Sequence, residues 1–245
     1  MSSVGTYAAG SYGKRVDESW PTTEIQSSPY SRDKSAAEAI LDEYEQRLGS
    51  AAIPIARMRP GFILQRAAAS GLMRYVLPEY VPMQLVPWLP LLPLGRRLPI
   101  PLIHADDVAE AISRVIDKRA TGPFNPAAEP PVGRDDIAAA LGARPVHIPS
   151  GVLGALVDLS WRARLQHIDR GWLDMAFTVP LLDCSRARRE LGWIPKWTST
   201  DALADLLDGV AHRNHTDSPP LRRRSMLDLL RRDMTEGLIS SRRLS

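Results

Sequence analysis

A single cysteine, Cys184, stands in 245 residues, which excludes an internal disulfide framework and suits a reducing cytoplasm. Long apolar runs are missing too. The most apolar stretch, residues 80–94, is shorter than the roughly 20 residues a membrane span needs. It is also broken by Pro82, Pro87, Pro90 and Pro93, each of which removes a backbone donor. The stretch reads as an irregular crossover roofing a pocket, and no membrane partner is expected. No charged, apolar secretory leader opens the sequence. Strong net charge is absent: the formal value is +3, too small to argue for nucleic acid. Much of the excess is local, in Arg222, Arg223, Arg224, Arg231, Arg232, Arg242 and Arg243.

What is present is an ordinary globular composition, 44% hydrophobic and 24% charged, long enough for one large or two small domains. Residues 5–28 read as loop. Ser28 then suits an N-cap and Pro29 the first helical position, with Ala37, Ile40, Leu41, Tyr44 and Leu48 at helical spacing and Gly49 as a stop. The pattern predicts a buried strand over 53–58, a turn at Arg59-Pro60-Gly61, a helix over 64–76 and a strand over 98–104. A helix capped by Asp106 or Asp107 follows, then a short strand at Phe124-Asn125 and a helix over 135–141. One amphipathic helical stretch is predicted for 151–176, a short helix capped by Ser185 and closed by Gly192, and a last helix over 200–210. Alternating short strands and helices indicate an α/β fold with parallel pairing. Beyond His212, Ser218-Pro219-Pro220 marks a linker and 221–245 a basic tail, disordered or helical, with Leu227, Leu230 and Met234 as one stripe of a helix.

Tyr30 and Lys34 carry the sharpest chemical signal. Four residues apart on a helix, both project from one face. A tyrosine is a poor base at its reference pKa of roughly 10. A nearby ammonium favours the phenolate, and the first turn of a helix acts in the same direction. Such a pair can move a proton on or off a substrate hydroxyl. Six tyrosines and only four lysines make chance Tyr-x-x-x-Lys spacings rare, and a lysine kept in a chain that otherwise uses arginine points to a need for a compact ammonium. A surface helix pair is the bland alternative. His212, His215 and Asp217 sit in the linker and read as solvated, so no metal is expected. Trp161, Trp172, Trp193 and Trp197 read as core or pocket wall.

Upstream of the pair lies Ser2-Ser3-Val4-Gly5-Thr6-Tyr7. Downstream lie Arg59-Pro60-Gly61, the stretch Leu102 to Ile112 with His104, Asp106 and Asp107, and the run Arg188 to Pro195. Together and in this order, these segments resemble the extended short-chain dehydrogenase/reductases, the NAD-dependent epimerase/dehydratase family, over about residues 2–210. The resemblance implies that Ser3 is the catalytic serine (Ser2 its neighbour if the register slips), that Tyr30 is the acid/base, and that Lys34 tunes Tyr30 and holds the nicotinamide ribose. It implies that Pro60 and Gly61 approach the nicotinamide end with their backbone. His104, Asp106 and Asp107 are read as a strand end and helix cap, and 188–195 as a packing motif. NAD or NADP is the implied cofactor and a nucleotide-sugar, or a related hydroxyl or keto compound, the implied substrate; a homodimer is left open.

The family opens with a strand, a Gly-x-x-Gly-x-x-Gly turn and a helix whose N-terminus receives the pyrophosphate. No such turn stands in this sequence, and Gly10 to Lys14 is no P-loop, since position 8 is Ala and Arg15 replaces the Ser or Thr. The expectation is an N-terminally truncated member: an incomplete Rossmann-like parallel sheet lacking its N-terminal half over 1–120, a small C-terminal α/β substrate domain over 121–212, and a tail over 213–245. The isolated chain is expected to bind NAD weakly or not at all, and a non-enzymatic remnant is the rival reading.

Overall fold

A computed structural model describes residues 1–76, 90–163, 168–212, 214–216 and 218. Residues 77–89 of the proline-rich region and 219–245 of the tail, with its Leu227, Leu230 and Met234, lie outside the described residues.

Among the described residues the strands are β1 (Arg15–Val16), β2 (Ala56–Met58), β3 (Phe62–Leu64), β4 (Leu91–Pro93), β5 (Leu102–His104), β6 (Gly122–Phe124), β7 (Arg144–Val146) and β8 (Leu181–Leu182). The α-helices among them are α1 (Pro29–Leu48), α2 (Ala69–Val76), α3 (Ala105–Asp117), α4 (Arg134–Leu141), α5 (Ser150–Arg162), α6 (Arg170–Thr178) and α7 (Ser199–Ala211). The strands form four two-stranded pairs, β1–β8, β2–β6, β3–β5 and β4–β7, all parallel. Parallel pairing requires a crossover between partners, which the intervening helices supply. The α/β expectation thus holds.

Local signals set most helix ends. Ser28 caps α1 by accepting from Ser31 N–H, Pro29 occupies the first position, and Gly49 ends the helix at φ 52°. The sequence pattern misplaced other boundaries. The segment expected to be helical from residue 64 starts as β3, passes through a 3₁₀ turn at Arg66–Ala68, and becomes helical only at Ala69. Asp106 and Asp107 do not cap α3: the His104 side chain does, accepting from Asp106 N–H at 3.2 Å. The stretch 151–176 is two helices, the second capped by Asp169. Asp183, not Ser185, accepts the first N–H of the turn that ends at Gly192.

Two cores organise these elements. The first joins Val4, Tyr7, Met58, Ile103, Val108, Ala111, Phe124, Met175, Leu182 and Trp193. Trp193 is fully buried, and its indole N–H donates to the Asp107 carbonyl at 3.0 Å. The Asp107 carboxylate accepts from the backbone N–H groups of Lys196 and Trp197, so segment 193–197 is tied to the first turn of α3. The second core packs Leu203, Leu206 and Val210 of α7 on Leu64, Leu102 and Val132. The lone Cys184 is buried in the first core, where burial pushes its thiol up to about 11, so it has no reactive thiolate.

Candidate active site

The segment that opens the chain runs beside β2 and the turn after it. Ser2 N–H donates to the Met58 carbonyl and Val4 N–H to the Pro60 carbonyl, each at 2.8 Å. Alternate residues bonding to alternate carbonyls is strand-like pairing, and Ser3 between them is extended, at φ −162° and ψ 157°. The backbone then turns sharply through Val4–Thr6. The Ser3 hydroxyl oxygen accepts from Gly5 N–H at 3.1 Å and caps that turn. A hydroxyl has one proton to donate besides what it accepts, and among the described residues Ser3 donates to no protein acceptor.

The α1 helix docks on this turn through hydroxyls. Ser31 Oγ donates to the Gly5 carbonyl at 2.6 Å and accepts from Ile25 N–H, while Ser35 Oγ donates to the Thr6 carbonyl at 3.0 Å. Because Ser31 follows Tyr30 directly, these bonds fix the position of Tyr30 relative to Ser3. The Tyr30 ring lies against Gly5: a Cβ there would come within 3.1 Å of both Tyr30 Cε1 and Met175 Sδ. On its other side Tyr30 meets Trp172, ring centroids 5.0 Å apart and tilted by 32°. Trp172 reaches it because α6 closes tightly on the start of α1, where a Cβ on Gly171 would sit 2.2 Å from the Ser27 carbonyl oxygen. Lys34, one turn on, places Nζ 5.7 Å from the Tyr30 ring centroid and has no carboxylate partner among the described residues. Tyr30 and Lys34 are both half-buried.

Beneath the hydroxyl contacts lies a buried charged network. Glu38 is 1% exposed and accepts from Arg59 through both carboxylate oxygens, at 2.9 and 2.8 Å, and from Arg57 at 3.0 Å. Burial alone would raise the Glu38 pKa, but the hydrogen bonds and charge of the two guanidiniums outweigh it and hold the carboxyl down at about 2. Arg59 also donates to the Tyr7 hydroxyl, which donates to Asn125 Oδ1 at 2.7 Å. Burial raises the Tyr7 pKa against the pull of Arg59, so Tyr7 stays a neutral donor. The network thus ties α1, β2 and the end of β6 to the Ser3 segment. Sequence spacing pointed to none of Ser31, Glu38, Arg57 or Met175, and to Arg59 only as part of a turn.

The other candidates have local roles. The Pro60 carbonyl and Gly61 N–H are engaged by Val4 and Pro126, and a Cβ on Gly61 would lie 2.4 Å from the Pro101 carbonyl oxygen, where β3 meets β5. His104 stacks on Trp197 at 4.0 Å and sets Nε2 3.3 Å from Asp205, which also binds Arg66. His212 bonds the Asp208 carbonyl of its own helix; Asp217 lies outside the described residues. Among the described residues no group of three or more His, Cys, Asp or Glu could hold a metal. Two clefts of about 430 and 410 Å³ open elsewhere, one beside Glu18 and Arg186, the other beside Arg66 and Asp205. Neither is lined by Ser3, Tyr30 or Lys34.

No family model matches the chain. It is 28% identical over 204 residues to uncharacterized proteins of Mycobacterium tuberculosis and Mycobacterium bovis, which covers 81% of this chain and 51% of theirs. The chain therefore spans about half the length of the curated relatives it matches. Among solved structures it is similar to the UDP-glucuronic acid 4-epimerase of Bacillus cereus in complex with UDP-glucuronic acid and NAD. The TM-score is 0.57 at 15% identity, over 86% of this chain and 60% of that one. It is similar to the UDP-glucose 4-epimerase of Stenotrophomonas maltophila with bound NAD, at TM-score 0.58 and 21% identity, over 86% and 62%. A human epimerase family protein with NADPH gives 0.54 at 19% identity, over 86% and 63%. The fold is thus that of the NAD-dependent epimerase/dehydratase structures, and at these identities the likeness is one of fold.

Proposed function

We propose that these residues form the catalytic portion of an NAD(P)-dependent epimerase/dehydratase-type oxidoreductase acting on a nucleotide-sugar or a related hydroxyl or keto compound. The observation that supports this reading is the docking of α1 on the turn that Ser3 caps, with the ring of Tyr30 against Gly5, the residue whose N–H donates to the Ser3 hydroxyl. Tyr30, in the first turn of α1, takes the proton of a substrate hydroxyl or returns it in the reverse direction. Ser3 donates its hydroxyl hydrogen to the same substrate oxygen. Lys34 supplies positive charge one turn away, where negative charge develops on Tyr30.

The residues present fit one end of the cofactor. Lys34, without a carboxylate partner among the described residues, would hold the nicotinamide ribose; the Pro60 carbonyl and Gly61 N–H, engaged by Val4 and Pro126, would contribute shape alone. The diphosphate end finds no glycine-rich cradle in these 245 residues. A bound nicotinamide would supply hydride acceptance and return. Tyr30→Phe, assayed with NAD or NADP against a panel of UDP- and dTDP-sugars, is expected to lower turnover by roughly 10²–10⁴-fold. Turnover equal to that of the parent chain would sink the mechanism.

One observation favours a second reading, in which these residues do not bind NAD on their own. Part of the apolar row of α1 faces solvent: Ile40 is 66% exposed and Leu48 39%, with Ile53 at 72% beyond the helix. Calorimetric titration with NAD separates the two readings, since micromolar affinity would refute the second.

A further inference from the structure

Helix α6 closes on the start of α1 with one face, on which Gly171, Trp172 and Met175 lie together at helical spacing. Gly171 is buried and admits the contact, since any side chain there would meet the Ser27 carbonyl. Met175 seals the inner end, its Sδ 3.8 Å from the Ser28 hydroxyl oxygen and close to Gly5. Trp172 stands at the rim and is 37% exposed. It belongs to neither core, and the ring it meets is that of Tyr30. Its backbone N–H donates to Asp169, but its indole N–H has no acceptor among the described residues. The indoles of Trp20 and Trp193, by contrast, donate to the Ala8 and Asp107 carbonyls. A large aromatic ring is thus held open beside the tyrosine, with a donor to spare.

The two neighbours of Tyr30 approach from opposite directions along α1. Lys34 lies one turn toward the C-terminal end, Nζ 5.7 Å from the ring centroid. Trp172 comes from the other end, because α6 touches the chain at Ser27 and Ser28, just before α1 begins. Lys34 takes the nicotinamide ribose in the reading above, which leaves the Trp172 side for the substrate. A pyranose has faces of C–H groups and a rim of hydroxyls. An aromatic face matches the first and an indole N–H the second, the combination of aromatic wall and few placed polar groups that small-molecule sites use. A phosphate would seek a cation instead. The one cation of α6, Arg170, lies 3.8 Å from both Asp158 and Asp174, so the helix brings no unpaired positive charge.

We propose that Trp172 is the wall on which the pyranose ring of a nucleotide-sugar stacks, so that a ring hydroxyl meets Tyr30. The 5.0 Å between the two ring centroids keeps a sugar lying on Trp172 next to the tyrosine. The inference rests on the catalytic reading above and deepens it, because it assigns the sugar, and not the nucleotide, to α6. Of the tryptophans expected from sequence to be core or pocket wall, Trp193 is core and Trp172 is wall.

The test is calorimetric titration of the full chain, with NAD present, against UDP-glucose and dTDP-glucose, with free UDP and dTDP as references. The parent chain is expected to bind at least one sugar-nucleotide more tightly than its free diphosphate. W172L keeps apolar volume against Tyr30 without an aromatic face. It is expected to bind that sugar-nucleotide about fivefold to tenfold more weakly and the free diphosphate as the parent does. W172F keeps an aromatic face and is expected to stay within about threefold of the parent. A second measurement needs no variant: saturation transfer from aromatic protons of the parent chain is expected to reach the sugar C–H protons of the bound nucleotide-sugar. W172L equal to the parent would mean that Trp172 only packs, and would overturn the proposal. So would equal weakening of sugar-nucleotide and diphosphate, W172F as weak as W172L, transfer confined to the base, or a parent chain that binds neither sugar-nucleotide. These affinities are read without turnover, whereas the catalytic reading fails on the turnover of Tyr30→Phe, so the two failures are distinct.

Discussion

Helices α1 and α3 both pack on the first core, and they do so in opposite ways. In α3 the buried residues are Val108, Ala111 and Val115, with Asp107 beside them at the first turn, while Asp106 and Glu110 lie outward. In α1 the buried residues are Ser31, Ser35 and Glu38, while Ile40 and Leu48 face solvent. Apolar burial is non-directional and tolerates small sliding of one element on another. A hydroxyl donating to a particular carbonyl, or a carboxylate gripped by two guanidiniums, fixes rotation and register together. The buried face of the helix that bears Tyr30 and Lys34 is made of directional contacts, whereas α3 buries an apolar row and adds hydrogen bonds from Asp107 and Arg114 to segment 191–197; the former suits a site whose groups must be held within fractions of an ångström.

This contrast can be broken by substitution. Glu38→Ala leaves Arg57 and Arg59 buried without their shared partner and is expected to destabilise the fold by about 3–5 kcal/mol in denaturant unfolding, the largest effect of any single change proposed. Val108→Ala in α3 removes two buried methyl groups and is expected to cost about 1–3 kcal/mol, with no dependence on pH between 2 and 5. If the two substitutions cost the same, the charged network contributes no more than ordinary packing and the contrast fails.

The same contrast explains what the sequence could reveal. The ends of α1 were legible because Ser28, Pro29 and Gly49 act through local backbone chemistry. Its orientation was not, because of the apolar residues Ala37, Ile40, Leu41, Tyr44 and Leu48 none is buried, and Ala37, Ile40 and Leu48 are exposed. The inward side consists of residues that ordinarily face water. The spacing of Tyr30 and Lys34 is visible in the chain, whereas Trp172 and Met175 arrive from a helix some 140 residues away. Likewise Arg59 meets Glu38 and Tyr7 only through the fold. Strands β1, β4, β7 and β8 have two or three residues each, too few to show alternation, and β4 and β7 contain Pro93 and Pro145. His104 was read as a strand end, and it is one; its second role, capping α3, depends on a side chain turning back to Asp106 N–H.

The most direct measurement compares unfolding free energy with pH for the parent chain and Glu38→Gln. The Glu38 pKa is lowered to about 2 in the folded state, against about 4.5 when unfolded, so its contribution is fully present above pH 4.5 and is lost as pH falls through about 2. Other carboxylates titrate in both proteins and cancel in the difference. The stability gap between parent and variant is expected to shrink by up to about 3 kcal/mol as pH falls from 5 to 2. A gap that stays constant across that range would contradict the claim that a buried, ionised Glu38 holds α1 and its Tyr30–Lys34 pair in place.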